Sequence, residues 1–183
     1  MKIALLILVI VLSQETVNAQ NYYIILKGGS SDYGGLDFNI SGASGDYHWA
    51  KGVILSAGAG LRVNNAFAVE VLAEYSTHKY EPREWETSPT KDLRNTFTEF
   101  TVIGKFTLVS ISIVRLVGVT GLSLSFQREE YPTQELSKNG VSVPLGLGIE
   151  CQITKNLTAS IDGNWRLRFY VTPVAQIGLA YSL

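Results

Sequence analysis

No disulfide can form within this chain, because Cys151 is its only cysteine. Two histidines, His48 and His78, stand far apart, and with that one cysteine they suggest no transition-metal site. Charge is scarce. Asp, Glu, Lys and Arg make up 17% of the residues and the formal net charge is −1, so no basic footprint of a nucleic-acid binder is present. After residue 20 there is no apolar run of eighteen, which excludes a helical membrane span there. Long helical periodicities are missing too. What is present is seventeen Gly, nine Tyr and seven Phe against a single Met, a balance that fits an all-β protein.

The first twenty residues read differently from the rest. Met1-Lys2 is a short positive start, Ile3 to Leu12 is an unbroken apolar run, and Val17-Asn18-Ala19 is a small-residue cleavage site before Gln20. Residues 1–19 are therefore expected to be a secretory signal peptide. Residues 20–183 are expected to form one domain.

The rest of the chain alternates with a period of two, the mark of strands with one apolar face. Val53, Leu55, Ala57, Ala59, Leu61 and Val63 occupy every second position of one segment. Phe67, Val69, Val71, Ala73 and Tyr75 do so in the next. Asn64-Asn65 between them suits a tight hairpin, since Asn tolerates positive φ. The same pattern recurs over 22–29, 96–108, 111–126, 141–153, 157–169 and 171–183. Eight strands result. Their connections are long at 31–50, 81–95 and 127–140, and short at 64–65, 109–110, 154–156 and near 170. Tight turns on one rim and loops on the other define an up-and-down barrel. Every segment after 22–29 exceeds the roughly 9–11 residues that cross a bilayer at a tilt.

Alternation does not say which face is inside. A soluble barrel points its apolar face inward, whereas a membrane barrel points it at lipid. Charge placement favours the second. The polar face carries Lys27, Arg62, Lys105, Arg115, Arg166 and Arg168 together with Glu70, Glu74, Glu99, Glu150 and Asp162. That near balance suits a narrow lumen, where an unpaired charge is expensive. Arg62 is expected beside Glu70 and Glu74, and Glu150 beside Asp162, Arg166 and Arg168. The opposite face is uncharged in all eight segments. In water that face would be an aggregation liability. In lipid it is required, because Arg or Lys at the midplane costs roughly 2–4 kcal/mol. Aromatic residues add a second sign. Tyr22, Phe67, Phe106 and Tyr181 fall near the short-turn rim. Tyr75, Phe97 or Phe100, Phe126, Trp165 and Phe169 fall near the loop rim, as interfacial belts do. The expected fold is thus an all-β, eight-stranded antiparallel up-and-down transmembrane β-barrel.

With the signal segment, Lys27-Gly28-Gly29 closing the first strand, the Gly-rich alternation and a final Ile177 to Leu183 strand, the chain resembles the small outer-membrane β-barrel proteins of Gram-negative bacteria, the "porin family" or OmpA/OmpX-like barrels. The resemblance implies an outer-membrane location, outer-membrane lipid as surroundings and the barrel-assembly machinery as a partner in biogenesis. It does not fix an activity. Three function classes follow. The first is a plugged barrel that displays loops for envelope integrity, adhesion or contact with an extracellular or envelope protein, with Tyr47, His48, Trp49, Trp85 and Tyr131 as contact residues. The second is a narrow pore. The third is a rim enzyme acting on lipid through His78, but no nucleophile and base stand out near it, so neither catalysis nor a cofactor is expected.

Overall fold

The computed structural model describes residues 22–31, 52–79, 94–130, 135–167 and 171–183. Residues 1–19, Tyr47, His48, Trp49, Trp85, Tyr131 and Arg168 lie outside them. The described chain forms eight strands: β1 (Tyr22–Ser31), β2 (Gly52–Arg62), β3 (Phe67–Lys79), β4 (Arg94–Ile111), β5 (Val114–Glu130), β6 (Glu135–Gln152), β7 (Leu157–Leu167) and β8 (Val171–Ser182). Each pairs antiparallel with the next, and β8 returns to β1 to close the sheet. Closure matters physically. In hydrocarbon every backbone N–H and C=O needs an internal partner, and a closed barrel leaves no edge through the bilayer.

The alternation divides the two faces cleanly. On β1, Tyr22, Ile24 and Leu26 point out while Tyr23, Ile25 and Lys27 are buried. On β3, Val71 and Tyr75 are exposed while Glu70, Leu72 and Glu74 are buried. Such a surface inverts the arrangement of a water-soluble protein, because lipid and not a core receives the large apolar side chains. From Phe67 to Tyr75 on β3, and from Val114 to Phe126 on β5, outward positions carry no charge. Aromatic pairs mark the two rims: Phe67 and Phe106 lie 4.9 Å apart near the short turns, and Phe100 and Phe126 meet edge-on at 6.3 Å near the loops. Phe97 is a correction. Its ring is buried inside the barrel, because it shares inward parity with Glu99 and Thr101, and Phe100 takes the outward place.

Other corrections concern boundaries. The β4–β5 turn falls at Ser112-Ile113, not at 109–110. The register shifts between Thr107 and Val109, so an extra residue enters β4 and Leu108 and Val109 are both exposed. Ser112 holds φ 55°, the left-handed turn conformation usually given to Gly or Asn, which is why no turn signal marks the place. The stretch 127–140, expected as a loop, is mostly ladder: β5 continues to Glu130 and β6 begins at Glu135. Ser137 to Gly140 are all exposed. Beyond the apolar band neither face selects for hydrophobicity, so pairing continues without a period. Asn64 also works differently from expectation. Its Oδ1 accepts hydrogen bonds from the N–H groups of Ala66 and Phe67, both at 2.8 Å, so its side chain and not a positive φ closes the turn. Thr154 does the same with its Oγ1 for Asn156 and Leu157.

Candidate functional site in the barrel lumen

Inward parity on eight strands sends side chains toward one axis, and charged groups there must find partners or be lost to desolvation. Two layers of ion pairs result. The layer nearer the short turns centres on Lys27 and Lys105. Lys27 Nζ lies 3.1 Å from Glu70 Oε2 and 2.8 Å from Asp162 Oδ2. Lys105 Nζ lies 2.8 Å from Glu70 Oε1, 3.0 Å from Glu150 Oε1 and 3.9 Å from Asp162 Oδ1. Arg115 joins at 3.1 Å and Arg62 at 3.8 Å, both on Glu150 Oε2. The Tyr23 hydroxyl donates to Glu70 Oε1 at 3.3 Å. An apolar cluster of Tyr23, Ile25, Leu72, Ile103, Val117 and Val119 packs within the lumen as well.

The layer nearer the loops has one cation among its described residues. Arg166 donates from Nη2 to Glu74 Oε2 at 2.7 Å and from Nη1 to Glu99 Oε2. Neutral donors complete Glu74: Thr101 Oγ1 donates to Oε2 at 2.6 Å and Ser56 Oγ to Oε1 at 2.9 Å. Gln176 Nε2 donates in turn to Ser56 Oγ at 2.6 Å. Above them Ser31 Oγ lies 2.7 Å from His78 Nε2, and the His78 ring stands edge-on to Phe97. A cavity of about 10 Å³ beside this pair is lined by Ser76, His78, Arg166 and Thr172 among others. That is about the room one water needs.

The pairing differs from the neighbour-strand expectation. Arg62 reaches Glu150 on β6, and neither Glu70 nor Glu74 is within ion-pair distance of it among the described residues. Glu150 is held by Lys105 and Arg115, while Arg166 crosses from β7 to β3 and β4. The reason is geometric. In so narrow a barrel, a long side chain meets the opposite wall as readily as the next strand. The described lumen network thus has five cations (Lys27, Arg62, Lys105, Arg115 and Arg166) against five carboxylates (Glu70, Glu74, Glu99, Glu150 and Asp162). Sequence reasoning passed over Ser56, Thr101, Ser31 and Ser123, whose Oγ lies 2.9 Å from Thr101 Oγ1. Their inward parity with the charges was the available signal.

Glycine makes the room. A methyl at Gly60 would overlap the Tyr23 ring, and one at Gly148 would press on the Asp162 carboxylate. Among the described residues no group of three His, Cys, Asp or Glu could hold a metal ion.

The sequence profile described as "Outer membrane protein beta-barrel domain" matches residues 3–178. Among solved structures, Neisserial surface protein A (NspA) is similar, with a TM-score of 0.64 at 14% identity, over 92% of this chain and 100% of that one. The N-terminal β-barrel domain of Pseudomonas aeruginosa OprF follows with a TM-score of 0.54 at 14% identity, over 88% and 97%. Ail, the attachment invasion locus protein of Yersinia pestis, has a TM-score of 0.51 at 16% identity, over 87% and 95%. At such identities these likenesses carry the fold. No curated protein matches the sequence.

Proposed function

Because the chain belongs to the outer-membrane β-barrel domain family and so sits in the lipid of the bacterial outer membrane, we propose that it is a plugged barrel whose work is done by the surfaces it displays. The single observation that carries this reading is the set of ion pairs spanning the lumen, with Lys105 and Arg166 each joining walls that are not neighbours. Side chains that meet across the axis of an eight-stranded barrel occupy the section that an aqueous path would need, which supports this reading. Function then passes to what stands outside the membrane. The β5–β6 hairpin around Arg128 and Lys138 supports this reading, since its exposed, charged side chains stand beyond the apolar wall. Tyr47, His48, Trp49, Trp85 and Tyr131 are proposed as contact residues for an extracellular or envelope protein, alongside a contribution to envelope integrity. Residues 1–19 are proposed as the export signal, and the barrel-assembly machinery as the biogenesis partner. The name of Ail describes attachment and invasion by that protein; a comparable adhesive role here is part of the proposal.

A narrow water path is the second reading. Ser142 Oγ, Asn164 Oδ1 and Thr172 Oγ1 are buried and have no hydrogen-bond partner among the described residues, so water in the loop-side half suits them. Liposome swelling separates the two. Vesicles carrying the refolded protein should swell in small sugars no faster than empty vesicles. Swelling at porin-like rates would replace the plugged barrel by a pore. For the loops, a Tyr47→Ser, Trp49→Ser variant should fold normally and lose cell or matrix adhesion.

A further inference from the structure

The three described hairpins at the short-turn rim are not alike. The β2–β3 turn is Asn64, Asn65 and Ala66, and the β6–β7 turn is Thr154, Lys155 and Asn156, polar sequences suited to water. The β4–β5 hairpin has no charged residue, no Asn and no Gly from Phe106 to Val114. Its tip exposes Leu108, Val109, Ile111, Ile113 and Val114, and Ile111, at 71%, has the highest exposure among the large apolar side chains of the described residues. This tip also reaches further than its neighbour. The Thr107 N–H donates to the Ala66 carbonyl at the β2–β3 turn, so Leu108 to Ser112 run on past that turn.

The outward side chains of the tip continue the lipid-facing wall. Val109 is in register with Leu116, which is in register with Ile149. Ile111 pairs Val114, which pairs Cys151, and Ile153 lies exposed beyond them. The bulge between Thr107 and Val109 adds to this column, because it leaves two successive apolar residues exposed where strict alternation would expose one. Ser110, between Val109 and Ile111 and also exposed, is in register with Arg115, which is turned to Glu150.

We infer that the Leu108–Val114 hairpin is a membrane-inserted anchor: its tip lies among the phospholipid acyl chains and headgroup boundary of the leaflet on the short-turn side, and does not stand in the aqueous compartment. Its unbroken continuity with the wall that already faces lipid argues for lipid as the occupant. One consequence is a lopsided barrel. The exposed apolar surface runs on to Leu108–Val114 at the β4–β5 hairpin while the β2–β3 and β6–β7 turns end in Asn, Thr and Lys, so the barrel is expected to tilt toward the β4–β5 side.

Fluorescent probes on single cysteines test the placement. In a full-length Cys151→Ser background, an NBD group is attached at Ile111→Cys, and at Asn65→Cys and Lys155→Cys for comparison, in phosphatidylethanolamine/phosphatidylglycerol vesicles. The Ile111 probe is expected to be quenched several-fold more by doxyl-labelled lipid, and several-fold less by iodide, than either comparison probe. Iodide quenching at Ile111 equal to that at Asn65 would overturn the inference. So would shielding at Ile111 that disappears as protein is diluted into lipid, because a second copy would then be the cover. Ile113→Cys gives the same reading should Ile111→Cys not fold.

Discussion

The two halves of the lumen solve one problem in opposite ways. In the turn-side half every carboxylate has more than one cation: Glu70 and Asp162 each meet Lys27 and Lys105, and Glu150 meets Lys105, Arg115 and Arg62. In the loop-side half Arg166 alone, among the described cations, reaches both Glu74 and Glu99, with hydroxyls of Ser56 and Thr101 completing Glu74. Redundancy tolerates the loss of a partner. A hub does not, because removing it takes away at one stroke the described cation that Glu74 and Glu99 share. Stability under mutation should therefore fall off along the barrel axis in a definite order.

Arg166→Leu tests the hub and should have the largest effect, a loss of about 3–5 kcal/mol in urea unfolding from lipid vesicles. Adding Glu74→Gln and Glu99→Gln should recover part of it. Were Arg166→Leu no worse than a lysine variant of the other half, the contrast between the halves would collapse. Lys105→Met comes next, at about 3 kcal/mol, since it touches three carboxylates that keep other cations. Lys27→Met should cost less, about 1–3 kcal/mol, with Lys105 still serving Glu70 and Asp162. Gly148→Ala probes room instead of charge. The added methyl pushes on Asp162, for an expected cost of about 1–2 kcal/mol and a shift in the unfolding midpoint. Arg62→Leu closes the series at about 0–1 kcal/mol. Its side chain is 30% exposed and lies 3.8 Å from Glu150, the most solvent-exposed pair of the turn-side half.

What the sequence made legible follows from the same geometry. Period-two alternation reports which side of a strand a residue faces, and eight such strands imply closure with an apolar outside. It carries no information on which residue answers another across the axis. Arg62 shows this: adjacent strands suggested Glu70 and Glu74, while the folded side chain lies against Glu150 of β6. Periodicity also fades where the barrel leaves the bilayer. Over Gln127–Glu130 and Glu135–Gly140 the ladder of β5 and β6 continues, but beyond the bilayer the selection that writes a pattern is lost. The β4–β5 turn was hidden for a third reason. A bulge displaced it, and Ser112 adopts a left-handed φ without the Gly or Asn that normally announces one.

The most direct test of the plugged lumen is planar-bilayer recording of the refolded chain. Ion pairs that meet across the axis should keep the wild-type bilayer free of steady conductance steps. Regular, long-lived steps of general-porin size from the wild-type protein would contradict the account, because a lumen that conducts steadily is not filled by its own side chains.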